Sequence, residues 1–450
     1  MSSAGTSYQD SQGGAHLKRA LGLWDLVFYG IILIQPTAPM PLFGVVSQEA
    51  RGHVVTTVLI AMCAMLFTAI SYGRMARAYP SAGSAYTYVG REIHSGLGFV
   101  TGWSMAMDYM LNPIICTIWC SKAAMNLAPE IPYAVWAVFF ALLFTSLNLR
   151  GIKATARTNE VLVMAMCVVV VYFFIAAVRF VLHQHGVSYT RPFYDPATFS
   201  LGRISTGTSI AVLTYIGFDG ISTLSEEVRD PRRNILLATV LTCLITGVLA
   251  TLEVYAGQLV WPDYKTYPDV DTAFVYVAGR AGGAILFQVV NMTLLVATIG
   301  SGMGSQLGAA RLLYGMGRDN TIPRSFFGVI DFRRGIPRNN VLFTGALALG
   351  GAFAMSYQLG AELLNFGAFI AFMGVNAAAF THYFLREQRK SWTMGLPPVL
   401  GFLICLYIWL SLRTPAKIAG GIWLGIGILY AAYKTKGFRR AIVFSEPPPE

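Results

Sequence analysis

Residues 34–41 read IQPTAPMP and lie in the middle of the first long apolar run of the chain. They place three prolines within six residues, which excludes a regular helix because each proline lacks an N–H and clashes with the carbonyl four residues back. A second interruption lies in the sixth apolar run, where residues 215–220 read YIGFDG and place an acid between two glycines. Broken backbone at membrane depth is tolerated only where it lines a cavity or is buried in protein. The two stretches predict two discontinuous helices.

The composition is that of a membrane protein. Of the 450 residues, 55% are apolar and 12% are charged, and the mean hydropathy is +0.55, whereas soluble domains carry about a quarter charged residues. Apolar runs of about 20 residues, the length that crosses a hydrocarbon core, recur along the chain. The aromatic content of 13% excludes disorder, and the first 20 residues lack the features of a cleavable signal. We predict one all-α polytopic membrane domain.

Twelve membrane spans are predicted from the apolar runs, at residues 23–46, 54–78, 97–124, 131–149, 160–182, 204–225, 235–260, 283–313, 340–357, 361–385, 396–412 and 417–433. With the N-terminus in the cytoplasm, most of the 33 Lys and Arg fall in cytoplasmic segments, which is the positive-inside pattern. We therefore expect a multi-pass protein of the cytoplasmic (inner) membrane with both termini cytoplasmic.

Charge, cysteine and histidine patterns exclude several classes of function. The net charge of +11 is spread over short loops without interleaved aromatics, which argues against nucleic acid as a partner. All six cysteines lie in apolar runs without a CxxC pair, and the six histidines lie outside the central parts of the spans. We expect no enzyme activity, no catalytic residues and no cofactor, and as partners a small-molecule amine or amino acid and the lipid bilayer.

The two interruptions lie five spans apart. This spacing is typical of transporters built from inverted repeats, which bind substrate near the membrane midplane between two discontinuous helices. Two alternatives stay open at this point: both helices are merely kinked, or the chain is a passive channel.

Four motifs resemble those of the amino acid–polyamine–organocation permeases: 80–88 (PSAGSAYTY), 101–103 (TGW), 217–219 (GFD) followed by 226–231 (EEVRDP), and 310–319 (ARLLYGMGRD). The resemblance implies secondary-active transport and the LeuT-like fold, which is a five-plus-five inverted repeat with helices 1 and 6 discontinuous. The implied organisation is a disordered cytoplasmic N-terminus over 1–20, an inverted-repeat core of ten helices over 21–390, two accessory helices over 391–435 and a cytoplasmic tail over 436–450.

Within that superfamily, residues 107–114 (MDYMLNPI) look most like the corresponding segment of bacterial putrescine importers. In those importers a tyrosine in this segment and an acid in the sixth span are functional. The resemblance therefore implies roles for Tyr109 and Asp219.

The first interruption favours an amine over a carboxylate. Amino acid permeases hold the substrate carboxylate on backbone N–H groups of a Gly/Ser-rich break at a half-helix N-terminus. Residues 35–39 contain no glycine, and Pro36 and Pro39 each remove a donor. An amine would instead be bound by carbonyls and acids, and ionisable groups at mid-membrane depth are functional candidates because they are costly there. We predict a substrate site formed by Gln35, Thr37, Ala38, Asp108, Tyr109, Tyr215, Gly217, Phe218 and Asp219.

Structural roles are the alternatives for these residues. Asp219 is suited to capping a half-helix, and Asp108 to a hydrogen bond with Asn112 or a neighbouring helix. Ammonium groups are attracted to ring faces by ~0.5 to 2 kcal/mol each, so the aromatics expected nearest the site are Tyr109, Trp119, Tyr215 and Phe218, with core packing as the alternative. Glu253, late in the seventh span, is either a gate or proton relay or an acid that reaches the outer interface.

The coupling ion is less clearly indicated. Proton-coupled relatives often carry a lysine in span 5 at the place of a sodium ion, where this chain has Met166. Weak sodium candidates are the hydroxyls of Thr298, Ser301 and Ser305, although glycines at 300, 304 and 308 among them normally indicate close helix packing. A buried carboxylate such as Asp108 or Asp219 can carry a proton. We expect H+ as the coupling ion, with Na+ as the alternative.

These observations predict an importer of putrescine or a similar small amine that works by alternating access. The alternative is an amino acid permease or an amino acid/amine exchanger. The sequence leaves open the exact substrate, uptake against exchange, the ion and the oligomeric state.

Overall fold

The computed structural model describes residues 21–79, 84–150, 156–224, 228–318, 322–331, 336–386 and 391–434. The predicted disordered N-terminus (1–20) and cytoplasmic tail (436–450) lie outside the described residues. So do positions 80–83, 226–227 and 319 of the motifs.

The described part of the chain is helical and contains no β-strand, which confirms the all-α prediction. Its fifteen α-helices are α1 (Leu23–Ile34), α2 (Phe43–Glu49), α3 (Val54–Ala78), α4 (Ser84–Glu92), α5 (Ser95–Met125), α6 (Tyr133–Leu149), α7 (Ala156–Leu182), α8 (Leu201–Ala211), α9 (Pro231–Val260), α10 (Ala273–Arg318), α11 (Arg324–Phe327), α12 (Arg338–Ala354), α13 (Tyr357–Phe380), α14 (Trp392–Leu410) and α15 (Thr414–Lys434).

Seven described helices are long and apolar enough to cross a membrane, namely α3, α7, α9, α10, α13, α14 and α15, and α1 and α6 are shorter apolar helices. The chain is therefore a multi-pass membrane protein. Several predicted boundaries differ from the structure: α10 begins at Ala273 rather than at residue 283, α13 at Tyr357 rather than at 361, and α14 at Trp392 rather than at 396. The start predicted for α10 coincides with a kink, because Gly283 has φ +74° and interrupts this helix. The structure also has two short helices between the predicted spans, α4 and α11.

Both predicted interruptions are present. After α1, residues 35–42 form turns before α2 begins, and Gln35 takes a positive φ of 71°. After α8, the chain tightens into a 3-10 helix over Val212–Tyr215, opens at residues 216 and 217, and forms a second 3-10 helix over Phe218–Leu224. The prolines of the first break and the glycine pair of the second explain why neither helix continues.

Helix α5 occupies the centre of the bundle. It packs against α4, α6, α10, α12, α13 and α15. Two of the predicted site residues, Asp108 and Tyr109, lie on this central helix. The two last helices pack on the outside of this group. The indole N–H groups of Trp103 in α5 and Trp423 in α15 donate to each other's backbone carbonyls, at 2.9 and 3.1 Å, which holds α15 against α5.

Candidate functional site

A cavity of about 140 Å³ lies where the two breaks meet α5, α10 and α13. Gln35, Thr37 and Ala38 line it from the first break, and Leu213 and Ile216 line it from the second. The other residues predicted for the substrate site do not line this cavity. Asp108 and Tyr109 lie on α5, about one helical turn before Asn112, which lines the cavity. Tyr215, Gly217, Phe218 and Asp219 belong to the second break.

The first break presents few backbone donors. Pro36 and Pro39 have no N–H, and the N–H of Ala38 donates to the carbonyl of Gln35 at 3.2 Å. Thr37 is thus the only residue between 36 and 39 whose N–H has no described backbone partner. The side-chain amide of Gln35 donates to the carbonyl of Ala297 in α10 at 3.4 Å.

The two breaks contact each other through their backbones. Gly217 has φ +124°, and a Cβ there would lie 3.3 Å from the carbonyl carbon of Leu33 and 3.4 Å from the nitrogen of Ile34. A side chain at residue 217 would therefore be strained by its φ and would press on the first break. Glycine is required here because the backbone of the second break lies directly against the end of α1.

Asp219 lies in the first turn of the second 3-10 helix. The backbone N–H groups of Gly217, Gly220 and Asp219 itself interact favourably with its carboxylate. The 3-10 helix begins at Phe218, before Asp219, so Asp219 does not occupy the N-cap position that was predicted for a half-helix starting at Gly220. The neighbouring N–H groups still favour a negative charge inside the bundle, which suits an electrostatic role toward a cation.

Asp108 and Tyr109 of α5 face the same region as Asp219. The Asp108 carboxylate interacts electrostatically with that of Asp219, and Tyr109 interacts with both. Asp108 is not bonded to Asn112, whose side-chain oxygen accepts from the Cys116 thiol at 3.1 Å, so that part of the structural alternative is wrong. The Tyr109 side chain is 42% exposed within the bundle, so it borders open space.

The aromatic residues of the second break pack into the core. Phe218 lies in a cluster with Tyr72 of α3 and Phe372 of α13, with ring centroids 5.5 and 5.7 Å away. Tyr215 is fully buried and its hydroxyl donates to the carbonyl of Val58 at 2.9 Å, so it does not face the cavity. Sequence reasoning missed Tyr72, whose buried hydroxyl has no described hydrogen-bond partner and which interacts electrostatically with Asp219. Only its position beside Phe218, which no local pattern encodes, distinguishes it.

One face of α10 connects the cavity to the two acids. Ser301 lines the cavity, and a Cβ added at Gly304 would meet nothing within 4 Å. A Cβ added at Gly308 would lie 3.1 Å from the Tyr109 ring. The expectation of close helix packing is wrong at Gly300 and Gly304, which both face open space. Of the sodium candidates, Thr298 and Ser301 line the cavity, whereas the Ser305 hydroxyl donates to the Ser301 carbonyl at 2.8 Å.

The loop between α9 and α10 covers the far end of the cavity. Trp119, which lines the cavity, donates its indole N–H to the carbonyl of Asp271 at 2.8 Å. Burial and the neighbouring Asp269 raise the pKa of Asp271 to about 6, and Lys122 partly opposes this shift. Lys122 lies 3.4 Å from Asp269, so this end of the cavity is fixed by an ion pair.

Glu253 of α9 does not reach the outer interface, so the second of its two predicted roles is wrong. Its side chain is fully buried, and neither carboxyl oxygen has a described hydrogen-bond partner. The sequence predicts that Glu253 lies near the end of its helix. It does not predict how α9 is rotated, and this rotation points the side chain into the bundle.

Comparison with known proteins places the chain among transporters. The model of the family described as amino acid permease matches residues 29–433. The low-affinity putrescine importer PlaP of Escherichia coli (strain K12) is 36% identical over 95% of this chain and 96% of its own length. The branched-chain amino acid permease BcaP of Lactococcus lactis is 27% identical over 95% and 96%, and the vacuolar cationic amino acid transporter 4 of Arabidopsis thaliana is 28% identical over 81% and 63%.

Proposed function

The chain belongs to the amino acid permease family, a family of transporters rather than enzymes, and we propose that it imports putrescine or a similar small amine across the cytoplasmic (inner) membrane. Uptake proceeds by alternating access and is coupled to protons, and both termini lie in the cytoplasm. The observation that carries this proposal is the pair of interacting acids, Asp108 and Asp219, beside a first break that offers few donors to an anion.

The proposed architecture is the five-plus-five inverted repeat. Helices α1 and α2 form the first broken span, and α8 with the two 3-10 helices forms the sixth. The core then extends through α13, and α14 and α15 are accessory. The contact between the backbones at Gly217 and Leu33 supports this assignment, because substrate in such folds binds where the two broken helices cross.

The charge distribution favours a substrate with two amines and no carboxylate. A carboxylate bound at the first break would lie beside two prolines without an N–H and beside the Ala38 N–H, which already donates to the Gln35 carbonyl. A cationic substrate would find the carboxylates of Asp108 and Asp219, and the ring of Tyr109. Two acids close together repel each other, and a dication between them removes that repulsion.

Small residues on α10 provide the route between the cavity and the acids. Gly304→Val is expected to lower uptake at least about tenfold, since the added methyl groups enter open space on this route. Thermal unfolding in detergent should be little changed. The matched variant is Gly302→Val, whose Cβ would lie 2.7 Å from Phe144 and 2.9 Å from Cys116, and it should lower the melting temperature. Normal uptake by the Gly304 variant would show that the substrate does not pass this face.

Proton coupling is proposed over sodium coupling. Only two of the three sodium candidates, Thr298 and Ser301, line the cavity, whereas the buried acids can exchange protons. Na+ stays the alternative ion.

The second candidate is an amino acid permease or an amino acid/amine exchanger. It is favoured by the similarity to BcaP and to the Arabidopsis cationic amino acid transporter.

Transport in proteoliposomes tests the proposal. Radiolabelled putrescine, ornithine and leucine are offered under an imposed proton gradient, under a sodium gradient and under neither. We expect putrescine to accumulate under the proton gradient. Accumulation of leucine without putrescine would favour the second candidate, and equilibration without accumulation under any gradient would favour a channel.

A further inference from the structure

Glu253 differs from every other fully buried glutamate that the structure describes. Glu92 is paired with Arg386 at 3.2 Å, and Glu362 with Arg413 at 2.5 Å. Glu253 has no cation within ion-pair distance among the described residues, and neither of its oxygens accepts a hydrogen bond. Its environment therefore provides nothing that stabilises a negative charge.

The helices around Glu253 do not change this conclusion. Helix α9 packs against α1, α3, α7, α10 and the two 3-10 helices of the second break, the second of which carries Asp219. Asp219 does not interact electrostatically with Glu253. Among the titratable groups described on all these elements, only the Cys167 thiol of α7 does so, and a thiol is not a counter-ion for a carboxylate. An ionised carboxylate here would have lost its water without gaining a partner, which is far more costly than burying the neutral acid.

Glu253 lies close to the elements that must move during transport. Gly247 contacts the Tyr215 ring of the second break, where a Cβ would lie 3.1 Å from it. Glu253 follows six residues later, about 9 Å along the helix axis. One turn further, a Cβ added at Gly257 would lie 3.1 Å from the ring of Phe43, the first residue of α2. A movement of α2 relative to α9 would open this region to water.

We propose that Glu253 is a proton-binding site, which holds a proton in the buried position described and exchanges it when α2 moves away from α9. The proposal rests on the proposed function, because a proton carried here drives uptake only if the chain transports an amine. It also divides the roles of the acids. Asp219, whose carboxylate interacts with backbone N–H groups of the second break, balances the charge of the amine, and Glu253 carries the proton.

The first test compares two modes of transport in Glu253→Gln. Exchange of labelled for unlabelled putrescine needs no net proton movement, whereas accumulation under a proton gradient does. The ratio of accumulation to exchange is expected to fall at least about tenfold relative to the wild type. The control is Glu130→Gln, an acid in an exposed loop, which should keep the wild-type ratio. A wild-type ratio in Glu253→Gln would overturn the proposal.

The second test uses the unmodified protein and does not depend on the variant folding. An apolar carbodiimide, dicyclohexylcarbodiimide, enters the membrane and reacts with protonated carboxyl groups. The carboxyl oxygen adds to the carbodiimide carbon, the acid proton moves to a carbodiimide nitrogen, and the adduct rearranges to an N-acylurea that peptide mass spectrometry locates. We expect modification of Glu253 that declines as the pH is raised. An unmodified Glu253 would overturn the proton site even if the chain imports amines. Failure of the wild type to transport putrescine in either mode would instead refute the proposed function, and the labelling would still decide the proton site.

Discussion

Asp219→Asn is expected to lower putrescine uptake about a hundredfold while the protein stays folded in the membrane. The amide keeps the size of the side chain and an oxygen that can interact with the backbone N–H groups of the second break. It removes the charge that pairs with an ammonium group. Loss of one partner of a buried charge pair costs about 2–5 kcal/mol, and about 3 kcal/mol corresponds to roughly a hundredfold.

Initial rates of labelled uptake in proteoliposomes measure this effect, with the amount of protein determined by quantitative blotting. The matched control is Asp25→Asn, because the Asp25 carboxylate also accepts a backbone N–H, from Gly22 at 2.8 Å, but lies in the first turn of α1 away from both breaks. It should transport almost normally. Near-normal uptake by Asp219→Asn would leave Asp219 with a structural role alone.

Putrescine is expected to compete for binding more than about a hundredfold better than ornithine, its α-carboxylated counterpart. The two molecules share their carbon spacing and both amines, so the comparison isolates the carboxylate. At the first break that carboxylate would lose water and gain at most the Thr37 N–H, since Ala38 already donates to Gln35. An unpaired buried charge costs several kcal/mol.

Inhibition of labelled putrescine uptake by each unlabelled compound measures the difference. Agmatine, a second carboxylate-free amine, serves as the control for the effect of size. If ornithine competes as well as putrescine, then the Thr37 N–H and the Gln35 side chain are sufficient for an anion. The chain would in that case be better described as an amino acid permease.

The positions of the helices follow from local sequence, which explains why they are predictable. The bounds predicted for the second span, 54–78, are those of α3, because a hydrophobic run of membrane length depends only on neighbouring residues. The breaks are equally local, since prolines at 36, 39 and 41 and glycines at 217 and 220 act on their own backbone. The same reasoning missed α4, because a short amphipathic helix carries no such run.

The site is less predictable because it depends on how each helix is rotated. Gln35, Thr37 and Ala38 line the cavity since the break itself forms its wall. Tyr215 is on the same kind of break, yet its hydroxyl is bonded to Val58 of another helix. The sequence predicts the position of Glu253 along its helix but not the residues that surround its side chain. Contacts between helices set these rotations, and a single sequence does not contain them in any local pattern.

The crossing of the two breaks at Gly217 has a mechanical consequence. No side chain separates this glycine from the backbone of Leu33 and Ile34, so displacement of one broken helix at this point displaces the other. In the alternating-access cycle proposed above, the two broken helices would therefore reorient together at this contact. A ligand held by one break would act on both.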